Sequence, residues 1–302
     1  MSINEIIEAL RISDLKSRSD YEIIELIQKI GKIAVMGVDI KQGRSIIRGR
    51  IVKEKKDNSG ELEFHRYESQ ISFLRDKKLI PPYNRASLEG VPMFYGTITD
   101  QNEHYSQVLC ISEITKLVDE NTEDGKDHHE YITMGKWKVD TEFTVCAIAH
   151  NEDFHANNEK LADMYNGFVE FVKKHPDREQ DFRDISSFIA REFAKKVDED
   201  KRHDYKISAA FSQVMMSYGV AGVLYPTAKD EGKGFNLALP PYIVEKHLKL
   251  EKIAVWRLTK RNKQLVVMPY LYCDKFKSDG AFIYEDPGKW ISEGTLEYML
   301  SR

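Results

Sequence analysis

The run ISAAFSQVMMSYGVAGVLYPTA, residues 207–228, carries no charge between Lys206 and Lys229. By length alone it could cross a bilayer. Its interior argues otherwise, because Ser208, Ser212, Gln213, Ser217, Gly219, Gly222 and Pro226 interrupt it. Ile207, Ala210, Phe211, Val214, Met215 and Tyr218 recur at helical spacing, and Val220–Tyr225 then reads as a strand. The run is therefore read as a buried helix followed by a buried strand. That reading makes the chain an α+β protein and not a membrane protein.

Working outward, two more helices precede it. Leu161, Met164, Tyr165, Phe168, Phe171 and Val172 share one face and stop at His175-Pro176, and Phe182, Ile185, Phe188, Ile189 and Phe193 form the next. Together they define a helical insertion at about residues 151–217. Strand-like runs lie on both sides of it. Before it come Ser45–Val52, Pro92–Gly96 and Phe143–Ala149, with a turn at Asp57–Gly60, a loop at Pro81-Pro82 and an acidic loop from Val118 to Glu130. After it come Phe235–Leu239 and a hairpin, Ile253–Leu258 and Leu265–Tyr272, around Thr259–Lys263; Thr295–Leu300 suggests a last short helix. At the N-terminus, Ile3, Ile6, Ile7 and Leu10 mark one amphipathic helix, and Ile23, Ile27 and Ile30 another behind a capping box at Ser19 and Glu22. The expected organisation is a helical extension over residues 1–40 and a catalytic domain over 41–302.

The chain has 302 residues, 41% hydrophobic and 31% charged, with a net charge of -4. That is globular composition, and the weak negative charge gives no bulk attraction to nucleic acid or anionic membrane. Cys110, Cys146 and Cys273 form no C-x-x-C pair and read as buried thiols in a reducing, cytoplasmic setting. Metal motifs fail. Asp119–Gly125 sets its glycine one place late for a calcium loop, His150 and His155 do not make H-E-x-x-H, and His128-His129 sit in the acidic loop. Glu231–Gly234 is too short to cradle a phosphate, and no nucleophile elbow or dinucleotide fingerprint is present.

Four segments stand out together. Ser45–Val52 places Arg48 and Arg50 inside a strand, where a bare guanidinium is costly to bury. Pro82–Ser87 carries a loop arginine, Arg85. Gly90–Gly96 ends an apolar strand in Tyr95 and is followed by Glu113 among apolar neighbours. Leu224-Tyr-Pro-Thr227 precedes Gly234-Phe-Asn236-Leu-Ala-Leu-Pro240. Singly, each has a plainer reading: Arg48 or Arg50 as a surface strand residue, Tyr95 as core, Glu113 as an exposed helix residue, Thr227 and Asn236 as turn residues.

In this order the segments resemble long-form members of the RES family, over roughly Ser45–Glu113 and Tyr218–Glu285. The resemblance implies a fold related to ADP-ribosyltransferases and NAD as substrate, degraded by hydrolysis or phosphorolysis with inorganic phosphate as co-substrate. It also implies a bacterial toxin or defence effector with an antitoxin or regulatory partner. By matched position it assigns Arg48, Arg85, Tyr95, Glu113 and Thr227 to catalysis, and Arg48, Arg85, Tyr95 and Asn236 to NAD binding, with Arg50 in reserve for Arg48. Thr227 stands where the family has serine, which keeps the hydroxyl and adds a methyl. The residue types suit the reaction. Two arginines can clamp a diphosphate, and a carboxylate can stabilise the oxocarbenium-like ribose as neutral nicotinamide leaves. An arginine near Glu113 would help by lowering its pKa. Two alternatives remain: transfer of ADP-ribose to a macromolecule, or an inactive nucleotide-binding module. The oligomeric state, homo-oligomer included, stays open.

Overall fold

A computed structural model describes residues 1–55, 59–98, 103–118 and 125–286. The protein is mixed α+β, with nine α-helices and a nine-stranded mixed sheet among the described residues. In chain order the elements are α1 (Ile3–Arg11), α2 (Asp20–Lys29), β1 (Met36–Ile40), β2 (Ser45–Ile51), β3 (Lys53–Glu54), β4 (Leu62–Glu63), α3 (Glu68–Ile71), β5 (Phe94–Ile98) and α4 (Glu103–Ile114). Then follow β6 (His128–Val139), β7 (Phe143–Ala147), α5 (Glu152–His155), α6 (Glu159–Val172), α7 (Glu179–Ala194), α8 (Lys206–Ser217), β8 (Val223–Pro226), β9 (Phe235–Leu239), α9 (Pro241–His247), β10 (Leu248–Arg261) and β11 (Gln264–Cys273). No helix among the described residues is long and apolar enough to cross a membrane. The opening stretch is α8 and β8, as its sequence indicates.

The sheet runs β1-β7-β8-β9-β5-β2-β6-β10-β11. The β7–β8 pair is parallel, and the other pairs in this sheet are antiparallel. Because side chains alternate along a strand, each strand sends one set of residues to each face. On the first face, α1, α2, α7 and α8 bury Leu10, Ile27, Phe193 and Phe211 against Cys146, Val223 and Ala238. On that same face, α4 buries Cys110 and Ile111 against Ile47, Ile132 and Met134. The opposite face carries one continuous core, from Val145 and Leu224 through Phe94 and Ile46 to Trp137 and Ile253. The first face therefore holds two apolar clusters with a gap between them, and the candidate site lies in that gap.

Local signals explain most elements. The Ser19 hydroxyl accepts the Glu22 N–H, and the Glu22 carboxylate accepts the Ser19 N–H, closing the expected capping box on α2. All three cysteines are free and buried. Two strands differ from expectation. β1 begins at Met36, inside the stretch assigned to the helical extension, and β6 extends over His128–Val139. Both carry polar or charged residues on one face, such as Asp39, Lys136 and Lys138, so no apolar run announces them. The hairpin turn tightens to Asn262-Lys263, with Asn262 in the left-handed region at φ 52°. Asp57 and Asn58 of the expected turn, residues 119–124 of the expected acidic loop and the Thr295–Leu300 helix lie outside the described residues, and His128–Glu130, expected in that loop, instead open β6.

Candidate active site

Between β2 and β5 the sheet opens. These strands share a single register pair, Ile47 with Thr97, whereas β2 pairs with β6 from Ser45 to Ile51 and β5 pairs with β9 from Phe94 to Ile98. Arg48 crosses the opening. Its Nη1 donates to the Tyr95 carbonyl, and its Nε donates to the carbonyls of Ile71 (3.0 Å) and Ser72 (3.2 Å). Those last two belong to the C-terminal end of α3, where carbonyls lack helical partners. The guanidinium lies 4.9 Å from the centre of the Phe94 ring. Burial, aided by the Arg50 charge, presses its pKa down to about 9, which leaves it a cation at neutral pH. Arg50 donates from Nη2 to the Ser72 carbonyl at 2.6 Å and does not line the cleft. Of the two interchangeable candidates, the structure brings Arg48 to the site.

Glu113 comes from the last turn of α4. That helix lies directly on β2 because Gly49 has no side chain: a Cβ there would sit 2.4 Å from Ile114 Cδ1 and 3.1 Å from Cys110 Sγ. Beneath Glu113, Thr97 Oγ1 donates to Asn236 Oδ1 at 3.3 Å. Burial pushes the Glu113 carboxyl above its ordinary pKa. The Arg85 charge opposes that shift, Asp230 adds to it, and hydrogen bonds from the Lys229 N–H and the Asn236 side chain oppose it. The expected lowering by a nearby arginine is thus present but outweighed by desolvation. Glu113 Oε1 is buried with no hydrogen-bond partner among the described residues. A buried polar atom in that state is costly unless a ligand uses it.

Arg85 stands on a short loop pinned by reciprocal backbone bonds between Asn84 and Ser87, at 3.0 and 3.2 Å. Tyr95 braces this loop from below, its hydroxyl donating to Ser87 Oγ (2.9 Å) and accepting from the Ala86 N–H (3.3 Å). Burial pushes the Tyr95 phenol up to about 12, so it is a neutral donor at neutral pH. Arg85 Nη1 donates to the Phe193 carbonyl, and its guanidinium lies 5.1 Å from the centre of the Tyr205 ring.

Arg48, Arg85, Tyr95, Glu113 and Asn236 all line one open cleft. They come from β2, a loop, β5, α4 and β9, so distant stretches converge. Thr227 is not brought into the cleft wall. It is fully buried, and its hydroxyl accepts the Gly234 N–H (3.3 Å) and donates to the Gly234 carbonyl (3.4 Å), closing the 227–234 loop. Its methyl therefore does not crowd the cleft. Ser112 Oγ on α4 donates to Asp230 of the same loop, tying that loop to the Glu113 helix.

Asn84, Thr97, Cys110, Tyr205 and Tyr225 also line the cleft, although the sequence reading did not single them out. Tyr225 was within reach, since it is the tyrosine of the Tyr-Pro-Thr motif. Tyr205 ends a 3₁₀ stretch, Glu199–Tyr205, and no periodicity marks it. Burial raises the Cys110 thiol to about 12, so it is protonated and not a ready nucleophile. No group of His, Cys, Asp and Glu is arranged to hold a metal ion among the described residues. No protein-family model matches the chain, and no curated protein matches it at a significant level.

Proposed function

We propose that the protein has an ADP-ribosyltransferase-like fold and cleaves the nicotinamide–ribose bond of NAD. One observation carries this reading: Arg48, Arg85, Tyr95, Glu113 and Asn236, five of the residues that the family resemblance assigns, line a single cleft. The cleft's chemistry is also of the required kind, with guanidinium groups for a diphosphate, phenols for a ring or a ribose hydroxyl, and a carboxylate with one oxygen unsatisfied.

In this reading Arg85 holds a phosphate oxygen and Tyr95 and Tyr225 flank the nicotinamide ribose. The C1′–N bond breaks, and its electron pair leaves with nicotinamide, which departs neutral. Glu113 faces the positive charge that grows on the ribose, and Asn236 holds the Glu113 carboxylate in place. Water, losing a proton, or inorganic phosphate then bonds to C1′. Glu113 must be ionised to act. Because burial raises its pKa, turnover should climb with pH through a midpoint above the usual carboxylate value, and the cationic nicotinamide ring of bound NAD should lower that midpoint by attraction. A cell tolerates such an activity only under control, so the proposal extends to a bacterial toxin or defence effector in the cytoplasm with a neutralising partner.

The test is incubation of the purified protein with NAD, with and without inorganic phosphate. Nicotinamide release is expected, with free ADP-ribose or its 1″-phosphate naming the acceptor. No release under either condition would refute the reading. Label from NAD appearing on a macromolecule would keep the site and change the acceptor.

A further inference from the structure

Three consecutive residues, Tyr83, Asn84 and Arg85, are gripped from the segment running from Phe193 to Lys206. Lys206 Nζ lies 5.1 Å from the centre of the Tyr83 ring. Arg202 Nη1 donates to Asn84 Oδ1 at 2.8 Å and to the Tyr83 carbonyl at 3.2 Å. The Phe193 carbonyl takes Arg85 Nη1, and the Tyr205 ring lies beside the same guanidinium. The grip is itself anchored to the N-terminal helices. Lys206 donates to the Arg18 carbonyl and lies 3.8 Å from Asp20, whose Oδ1 accepts the Tyr83 hydroxyl at 2.9 Å.

We propose that Arg202 is a positioning residue for the anion-binding arm of the cleft, acting through Asn84 to set Arg85. The helical insertion is then part of the binding site for a diphosphate. The physical reason is preorganisation. A free arginine must give up rotamer entropy when it captures an anion, whereas Arg85, held at Nη1 and along its plane, has already given up much of it. Arg202 makes two bonds to the loop, one to backbone and one to side chain, so it fixes both the path of the loop and the Asn84 rotamer. The diphosphate assignment rests on the NAD reading; the mechanical claim does not.

The experiment uses the full chain with Arg202→Ala and Arg202→Lys, and Tyr205→Leu as a second variant should Arg202→Ala fail to fold. Amide hydrogen exchange at Asn84 and Ser87 should quicken in Arg202→Ala and return toward the wild-type rate in Arg202→Lys. Affinity for inorganic pyrophosphate should fall about tenfold in Arg202→Ala, the effect of losing a charged hydrogen bond that positions the anion site. With NAD, KM should rise by a similar factor while kcat changes little, the pattern of lost uniform binding. Wild-type exchange at Asn84 and Ser87 in a folded Arg202→Ala protein would overturn the proposal whatever the chemistry. In Tyr205→Leu, unchanged pyrophosphate affinity and KM would do the same. A wild-type protein that releases no nicotinamide, yet shows the exchange effect, would sink the NAD reading and leave the positioning role standing.

Discussion

Arg48 and Arg85 line the same cleft, but the protein treats them differently. Arg48 is buried and committed, with Nε and Nη1 spent on three carbonyls across the split between β2 and β5. Arg85 is half-buried, makes one carbonyl bond and has an aromatic ring beside it. A buried guanidinium that spends its Nε and one Nη1 proton on backbone carbonyls acts as a splint across the split between the strands. One with donors in reserve acts as a receptor. Two residues that look equivalent in a motif thus divide structure and, under the proposed function, anion binding between them.

The largest expected effect tests the carboxylate that lines the cleft with both arginines. Glu113→Gln should lower kcat by about 10²–10³, the cost typical of removing one electrostatic contact to a transition state. It should also raise Tm at pH 7. The sign follows from linkage: a carboxyl whose folded pKa exceeds its unfolded pKa contributes stability in acid that is lost as pH rises through the folded value, so at neutral pH ionised Glu113 costs stability. The gain in Tm should vanish at pH values where Glu113 is protonated in both states. A Glu113→Gln protein with wild-type turnover would remove the carboxylate from the chemistry.

Next is the splint. Arg48→Ala should destabilise the protein by about 3 kcal/mol in chemical denaturation, because buried carbonyls are stranded when their donor is deleted. Arg85→Ala should leave the denaturation midpoint near that of the wild type and weaken NAD binding by about ten- to a hundredfold, the value of one charge-assisted contact. If Arg48→Ala proved stable and Arg85→Ala unfolded, the division between splint and receptor would be reversed. The smallest effect belongs to Thr227. Thr227→Ser keeps the hydroxyl that meets Gly234 and should leave turnover unchanged, whereas Thr227→Val should cost about 1 kcal/mol through the lost hydrogen bonds. A rate increase in Thr227→Ser would return residue 227 to the cleft.

Periodicity alone determined much of this protein. Helices α6, α7 and α8, the capping box on α2 and the β10–β11 hairpin were legible because each follows from spacing along a short stretch. The ordered set of residues that the cleft draws on came instead from the family resemblance, since no single one of them is marked by its spacing. Strands β1 and β6 were not legible, since their pairing with β7, β2 and β10 sets them and not their own apolar content. Tertiary structure alone decided that Arg48 and not Arg50 reaches the cleft, that Thr227 closes a loop instead of lining the site, and that the helical insertion sends Tyr205 to Arg85 and Arg202 to its neighbours Tyr83 and Asn84. It decided the direction of the Glu113 shift as well. Each of these depends on which groups from remote segments surround a side chain, and burial, hydrogen bonding and charge are properties of that assembled environment, absent from the chain read one stretch at a time.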